Sequence, residues 1–168
     1  MRGLVCGFLM ILYGASPVTA SDGIFVQQIK GEFGAVYSRV HPALEEARFF
    51  VIFEADIGHN LARNADRWGE DYNRNAYEGV RSLVICNPWY ANQLLNLDPE
   101  LMALCPMSVT LLYKGGVVTV LFERLGVVAP GSPAADVLWE VENTIITAIE
   151  SAATPDPVSG PPGVGIER

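Results

Sequence analysis

The chain has 168 residues, half of them hydrophobic, and its 11 basic and 19 acidic residues give a formal net charge of −8 at pH 7. This length is enough for one domain with a substantial hydrophobic core. A chain this acidic, with no basic patch, repels nucleic acid and anionic lipid, so we expect neither as a partner.

Residues 1–20 have the pattern of a secretory signal peptide. Arg2 supplies the positive end, an apolar run follows from Leu4 to Tyr13, and Ala20 ends a small-residue cleavage pattern before Ser21. The apolar run is shorter than the roughly 20 residues that span a bilayer, although an uncleaved anchor stays open as an alternative. The sequence therefore predicts a periplasmic or secreted protein that is free of the membrane after cleavage.

The segment 21–153 is predicted to form a single domain. Ile24–Lys30 is expected to be a strand, and apolar residues at helical spacing follow from Phe33 to Ala47. Phe49–Phe53 is wholly apolar, which predicts a central strand. Asp56 can cap a second helix whose apolar stripe, extending to Trp68, should be buried. A polar and aromatic stretch up to Gly79 predicts a long loop.

The second half of the domain is also predicted to contain both strands and helical segments. Leu83–Ile85 is predicted as a buried strand, and Pro88 can open a short helix after it. Asp98-Pro99-Glu100 should start another helical turn. The clearest hairpin runs from Ser108 to Arg124 and turns at Lys114-Gly115-Gly116.

Ser132 followed by Pro133 predicts the start of a last helix, and residues 154–168, rich in Pro and Gly, are predicted to be disordered. This order of elements predicts an α+β fold in which helices cover one face of a largely antiparallel sheet.

Two cysteines lie at the junctions between predicted strands and turns. Cys86 ends one strand and Cys105 precedes the next, so antiparallel neighbours would bring the two close together. Because export implies an oxidising compartment, a structural disulfide is the first interpretation. The alternatives are a redox-active thiol pair, a copper or haem site that could also use Met107 or His59, and simple burial of the two thiols. The main prediction includes no cofactor.

An aromatic and amide cluster lies next to Cys86. Aromatic rings and amides can hold a small ligand by stacking and hydrogen bonds, but the same residues can equally pack a turn. The predicted ligand-binding residues are Asn87, Trp89, Tyr90, Asn92 and Asn96.

Three features together resemble the Domain of Unknown Function 302 family. They are the strand leading into Phe53–Ile57, the strand ending in Asn87-Pro88, and the entry through Pro106 into the hairpin. The resemblance covers roughly residues 24 to 152. It implies a compact α+β domain that often pairs as a homodimer, and it brings no settled activity.

The chain departs from the family pattern at three positions. Cys86 stands where many members have Gly, and Cys105 where many have an apolar residue. Ile57-Gly58-His59 keeps the Ile and His of an Ile-Asp-His signature but has Gly for Asp. Both cysteines, with the longer aromatic segment from Trp68 to Tyr77, look like a secreted branch of the family.

The usual catalytic signatures do not occur in the sequence. There is no Gly-x-Ser-x-Gly elbow, no His-Glu-x-x-His and no phosphate-binding or dinucleotide-binding glycine loop. The sequence therefore favours a non-enzymatic exported domain that binds a small ligand or a protein partner, with no reaction identifiable. The alternative is a periplasmic redox or metal/haem-binding protein that uses Cys86 and Cys105.

Overall fold

The computed structural model describes residues 23–154. They form one five-stranded sheet in the order β1-β5-β4-β3-β2, and every neighbouring pair is antiparallel. The strands are β1 Ile24–Lys30, β2 Phe50–Asp56, β3 Gly79–Cys86, β4 Met107–Lys114 and β5 Val117–Glu123.

Five α-helices connect or follow the strands, and two long ones cover the sheet. The helices are α1 Phe33–Glu46, α2 Ile57–Ala62, α3 Ala65–Trp68, α4 Pro88–Leu97 and α5 Ala135–Ala153. Short 3-10 segments lie at Gly69–Asp71, Pro99–Leu104 and Leu125–Val127. Within residues 23–154, no helix combines the length and apolar character needed to cross a membrane.

The core lies between the sheet and the pair α1 and α5, which pack against each other. Val36, Val40 and Leu44 repeat at helical spacing and are fully buried, as are Ile145 and Ile149 of α5. Each such side chain contributes about 1.5–3 kcal/mol by leaving water. The predicted α+β fold with helices on one face of an antiparallel sheet is confirmed.

Several local predictions are confirmed. β1 has the predicted bounds, and β4 and β5 form the predicted hairpin. Gly115 and Gly116 both have positive φ at its turn, a conformation that glycine adopts without steric cost. Pro88 is in the first turn of α4, as predicted.

The prediction that the apolar strand at Phe49–Phe53 is central is wrong. β2 is an edge strand, since it pairs with β3 alone, and its ladder is interrupted by a register shift between Val51 and Phe53. Ile52 and Phe53 are 58% and 61% exposed. Phe53 lies opposite Val84, on the sheet face away from α1 and α5, so its apolar character does not reflect burial in the core.

Two helix predictions are also corrected. The helix predicted from Asp56 to Trp68 is divided into α2 and α3, and neither has a buried residue, so the predicted stripe is not part of the core. The last helix begins at Ala135 instead of Pro133. Ser132 still stabilises the approach to it, because its hydroxyl accepts a hydrogen bond from the Ala134 N–H and donates one to Asp98.

One charged residue of α5 is completely buried. Glu142 accepts hydrogen bonds from Arg124 Nε at 2.9 Å and from the Gly126 N–H at 2.7 Å. A buried carboxylate is tolerated only when it is paired and hydrogen-bonded in this way. Glu142 therefore fastens the segment after β5 to the middle of α5.

The predicted signal peptide, and all but the first residue of the predicted disordered tail, lie outside the described residues. Both stay predictions.

Candidate functional site

A cleft of about 640 Å³ opens where α2 and the following segment meet the beginning of β3. We call it the Tyr113 cleft. Four aromatic rings line it, from Phe33, Tyr72, Tyr77 and Tyr113. Its polar lining includes Asp56, His59, Asn73, Glu78 and Arg81. Small-molecule sites combine concave aromatic walls with a few polar groups in this way, at volumes of about 300–1,000 Å³.

The turn from β2 into α2 places His59 at the cleft. Asp56 ends β2, and its Oδ1 accepts a hydrogen bond from the His59 N–H at 2.9 Å, so the predicted cap is confirmed. Gly58 packs directly on β3, where a Cβ would lie 3.1 Å from the Val80 backbone nitrogen. Glycine at this point lets α2 approach β3 closely and form one wall of the cleft.

Arg81 lies between aromatic rings and two carboxylates. Its guanidinium carbon is 5.5 Å from the centre of the Phe33 ring and 5.3 Å from that of Tyr37. Its terminal nitrogens are 3.8 Å from carboxylate oxygens of Glu54 and Asp56. The Tyr37 hydroxyl also donates to Glu54. This network fixes the arginine side chain at the edge of the cleft.

Acidic side chains also surround Tyr113. Its hydroxyl donates to Glu32 at 2.8 Å, and Glu78 accepts from the Gly115 N–H at 2.8 Å. The hydrogen bond to Glu32, followed by burial and the nearby charges of Glu32 and Glu78, raises the pKa of Tyr113 above its ordinary value. Two carboxylates, from Glu32 and Glu78, therefore lie close to this ring.

The Asn87–Asn96 segment predicted from the sequence lies away from this cleft. Asn87 Oδ1 caps α4 by accepting from the Trp89 and Tyr90 N–H groups at 2.9 and 3.3 Å. Tyr90 stacks on Phe49, with ring centres 5.8 Å apart, and donates to Glu140 at 2.7 Å.

The remaining predicted ligand-binding residues lie on the surface. Trp89 is 66% exposed and, with Asn87 and Tyr90, lines a separate groove of about 400 Å³. Asn92 and Asn96 are exposed and do not line that groove. Ligand binding at this segment stays a prediction, but two of its residues have structural roles in the fold.

Cys86 and Cys105 are neighbours, as the strand order predicted, but both are free thiols, so this structure does not contain the predicted disulfide. Burial, and then the neighbouring Cys86 thiol, raises the pKa of Cys105 to about 11. A raised pKa disfavours the thiolate, which is the reactive and metal-binding form.

Neither of the two further ligands considered for a metal lies beside Cys86. His59 lines the cleft at the beginning of β3, whereas Cys86 ends the same strand. Met107 is buried opposite Ile85, and alternation along β3 places Cys86 on the other face of the sheet. Among residues 23–154, no three His, Cys, Asp or Glu side chains group closely enough to hold a metal ion.

The sequence alone did not reveal the cleft. Tyr113 was predicted only as part of a hairpin strand, and the strand predicted at Leu83–Ile85 begins after Arg81. Neither residue was assigned to a site, because nothing in a single strand indicates which segments will pack against its end. One signal was present: the long loop before Gly79 carries Tyr72, Asn73 and Tyr77, a composition that suits a binding surface better than a simple connection.

Comparison with known proteins agrees with this architecture. The profile of the family described as "Domain of unknown function DUF302" matches residues 25–152, so the chain belongs to that family. A crystal structure of an uncharacterized conserved DUF302 protein from Bacillus stearothermophilus superposes with a TM-score of 0.68 at 14% identity. The match covers 80% of this chain and all of that one, and at this identity it shows the fold alone. No curated protein matches the chain.

Proposed function

We propose that this protein is a binding module that holds a small organic molecule in the Tyr113 cleft. The single observation that carries the proposal is a cleft of about 640 Å³ whose walls combine four aromatic rings with a histidine, an amide and charged groups. The Asn87–Asn96 segment is the less favoured location, because the Asn87 amide and the Tyr90 hydroxyl already have partners within the fold.

The aromatic walls supply the apolar contact area that a small ligand needs. Phe33 and Tyr113 pack edge to face, with ring centres 6.1 Å apart, and so hold each other in place. Because these rings are held by the fold before a ligand arrives, little conformational entropy is lost on binding. Export to the periplasm stays part of the proposal, and it would expose the cleft to small molecules of the cell envelope.

The test is a fragment screen by two-dimensional ¹⁵N NMR on the chain from Ser21 onward. We expect fragments to shift the amide signals of Gly58, Gly79 and Tyr113. Gly79 lies on the cleft floor, where a Cβ would be 3.4 Å from Tyr113 Cβ and 3.5 Å from the Phe33 ring. Gly79→Leu should therefore fill the cleft and weaken binding by about tenfold or more.

Trp89→Ala is the matched control, since it removes an exposed ring from the other groove. It should leave fragment binding unchanged. The proposal is wrong if fragment shifts map to residues 87–96 and disappear in Trp89→Ala, or if Gly79→Leu, with an unchanged melting temperature, binds the fragments as well as the parent protein does.

A second candidate function is supported by the adjacent free thiols. Cys86 and Cys105 could cycle between a dithiol and a disulfide by exchange with a small-molecule disulfide. The raised pKa of Cys105 argues against fast exchange. Intact mass of the exported protein, alkylated without reductant, tests it: two adducts would support the thiol function, and none would indicate a structural bridge.

A further inference from the structure

Resting on the proposed function, we infer that the Tyr113 cleft takes a small organic cation, such as a protonated amine or a quaternary ammonium. The fold brings carboxylates and aromatic rings together there. Both favour a cation, and the carboxylates disfavour small carboxylates and phosphates as ligands.

The carboxylates around the cleft outnumber the cationic side chains. Asp56 and Glu78 line it, and Glu32 is hydrogen-bonded to a lining tyrosine. Arg81 is the one arginine or lysine in the lining, and Glu54 and Asp56 offset its charge at 3.8 Å.

Lys114, which follows Tyr113 in the sequence, does not change this excess of negative charge. Its Nζ donates to the Asn75 carbonyl at 2.6 Å, and it does not line the cleft. A positively charged ligand would therefore reduce the repulsion among the carboxylates, whereas an anion would increase it.

Aromatic rings in the same cleft supply the second half of the recognition. Cations bind over aromatic faces, and cages of several rings recognise ammonium groups. The fold already uses this interaction at the edge of the cleft, where Arg81 lies over Phe33 and Tyr37. Tyr72, Tyr77 and Tyr113 offer further rings to a cation that enters from outside. The charges of Glu32 and Glu78, which are among the causes that raise the pKa of Tyr113, act at the same ring.

The experiment compares three probes that share a phenyl ring and differ in charge. They are phenethylammonium, phenethyl alcohol and phenylacetate, each titrated into the chain from Ser21 onward at low salt and followed by ¹⁵N NMR. We expect the ammonium to bind about tenfold more tightly than the alcohol, and the carboxylate to bind most weakly. The ammonium affinity should fall as salt is added, because salt screens the carboxylates.

Glu78→Gln tests the carboxylate directly, because an amide oxygen at this position can still accept from the Gly115 N–H. We expect it to weaken ammonium binding by about three- to tenfold and to leave the alcohol unchanged. Glu100→Gln, an exposed acid outside the cleft, is the matched control and should change neither.

The outcomes separate this inference from the proposed function. The cation inference is wrong if phenylacetate binds in the cleft as tightly as the ammonium. It is also wrong if Glu78→Gln weakens the binding of the ammonium and of the alcohol equally. In either case the cleft remains a binding site. If none of the three probes shifts cleft signals, the proposed function fails and the cation inference fails with it.

Discussion

Asn87 illustrates how one side chain can satisfy two sequence patterns. An amide between a strand and an aromatic pair is typical of a ligand site, but it is equally typical of a helix cap. In the structure the Asn87 side chain is buried and accepts from two N–H groups of α4, which would otherwise lack partners. The local sequence could not separate the roles, because they require the same chemistry.

Cys105 supports a prediction about reactivity. With its pKa raised to about 11, chiefly by burial, its thiolate fraction at pH 8 is about a hundredfold lower than that of a thiol with the ordinary value of 9.0. We expect iodoacetamide to alkylate Cys105 correspondingly slowly in the reduced, folded protein. The rate should rise steadily with pH up to about 11, as measured by peptide mass spectrometry.

Cys86→Ser provides the comparison for this experiment, because it removes the electrostatic contribution of Cys86 to the pKa of Cys105 but leaves the burial. Alkylation of Cys105 should then become only modestly faster. A Cys105 that reacts at the rate of unfolded protein at pH 8 would contradict the assignment of burial as the main cause.

At the scale of elements, α5 is held to the end of β5 through one buried acid. Glu142 has no exposed surface, and its two hydrogen bonds reach Arg124 and the Gly126 backbone. Gly126 is also tightly packed, since a Cβ there would lie 2.4 Å from the Trp139 ring. The sequence alone did not indicate this role of Glu142, because a charged residue in a helix is normally assigned to the solvent face.

Glu142→Gln should therefore destabilise the fold. The amide keeps the shape of the acid but loses the charge that pairs with Arg124, so we expect the free energy of unfolding to fall by about 1–3 kcal/mol in urea denaturation. Glu150→Gln, at an exposed position of the same helix, should change it by no more than about 0.5 kcal/mol. Equal losses in the two variants would contradict this account of Glu142.

The wrong prediction that β2 is a central strand also has its cause at the scale of elements. An apolar run indicates that a strand avoids water, but it does not indicate what covers it. The position of β2 in the sheet depends on its pairing with β3 and on β1 taking the opposite edge next to β5. Pairings between segments far apart in the chain leave no trace in local periodicity, so β2 could be recognised as a strand but not as an edge strand.

At the scale of the whole molecule, the two long helices α1 and α5 cover one face of the sheet, and the other face exposes apolar side chains. Phe50, Ile52 and Phe53 at its β2 edge are 45%, 58% and 61% exposed. Within residues 23–154, β2 pairs with β3 alone, so its other backbone edge can pair antiparallel with its own copy about a two-fold axis. We propose this surface as the interface of the homodimer that the family resemblance leads us to expect.

Phe53→Lys should therefore weaken self-association. We expect the parent protein to sediment as a concentration-dependent dimer, and the variant to shift by about tenfold in dissociation constant toward monomer. Leu95→Lys, at a similarly exposed apolar residue of α4, should not shift the equilibrium. A parent protein that stays monomeric at every concentration would exclude this interface.

The secondary structure could be predicted from the sequence and the cleft could not, because they depend on contacts between residues at different distances along the chain. Strands, helices and the β4–β5 hairpin depend on neighbours a few residues apart, so alternation, helical spacing and paired glycines predicted them. The Tyr113 cleft brings Phe33, His59, Arg81 and Tyr113 together from four segments. No motif spans such distances, and the cleft could be recognised only after the strand order was known.

The strand order also bears on how the chain reaches its native state. β4 and β5 can meet through a short turn, and β3 can join them early, since the 20 residues 87–106 separate it from β4, whereas the 86 residues 31–116 separate β1 from β5. β1, the first strand along the chain, has β5, the last, as its partner. Closing so long a loop is slow and costly in chain entropy, so the nucleus is expected in the β3–β5 half, with β1 docking late. A chain exported from its N-terminus would thus keep its first strand without its native partner until almost the whole domain had crossed the membrane.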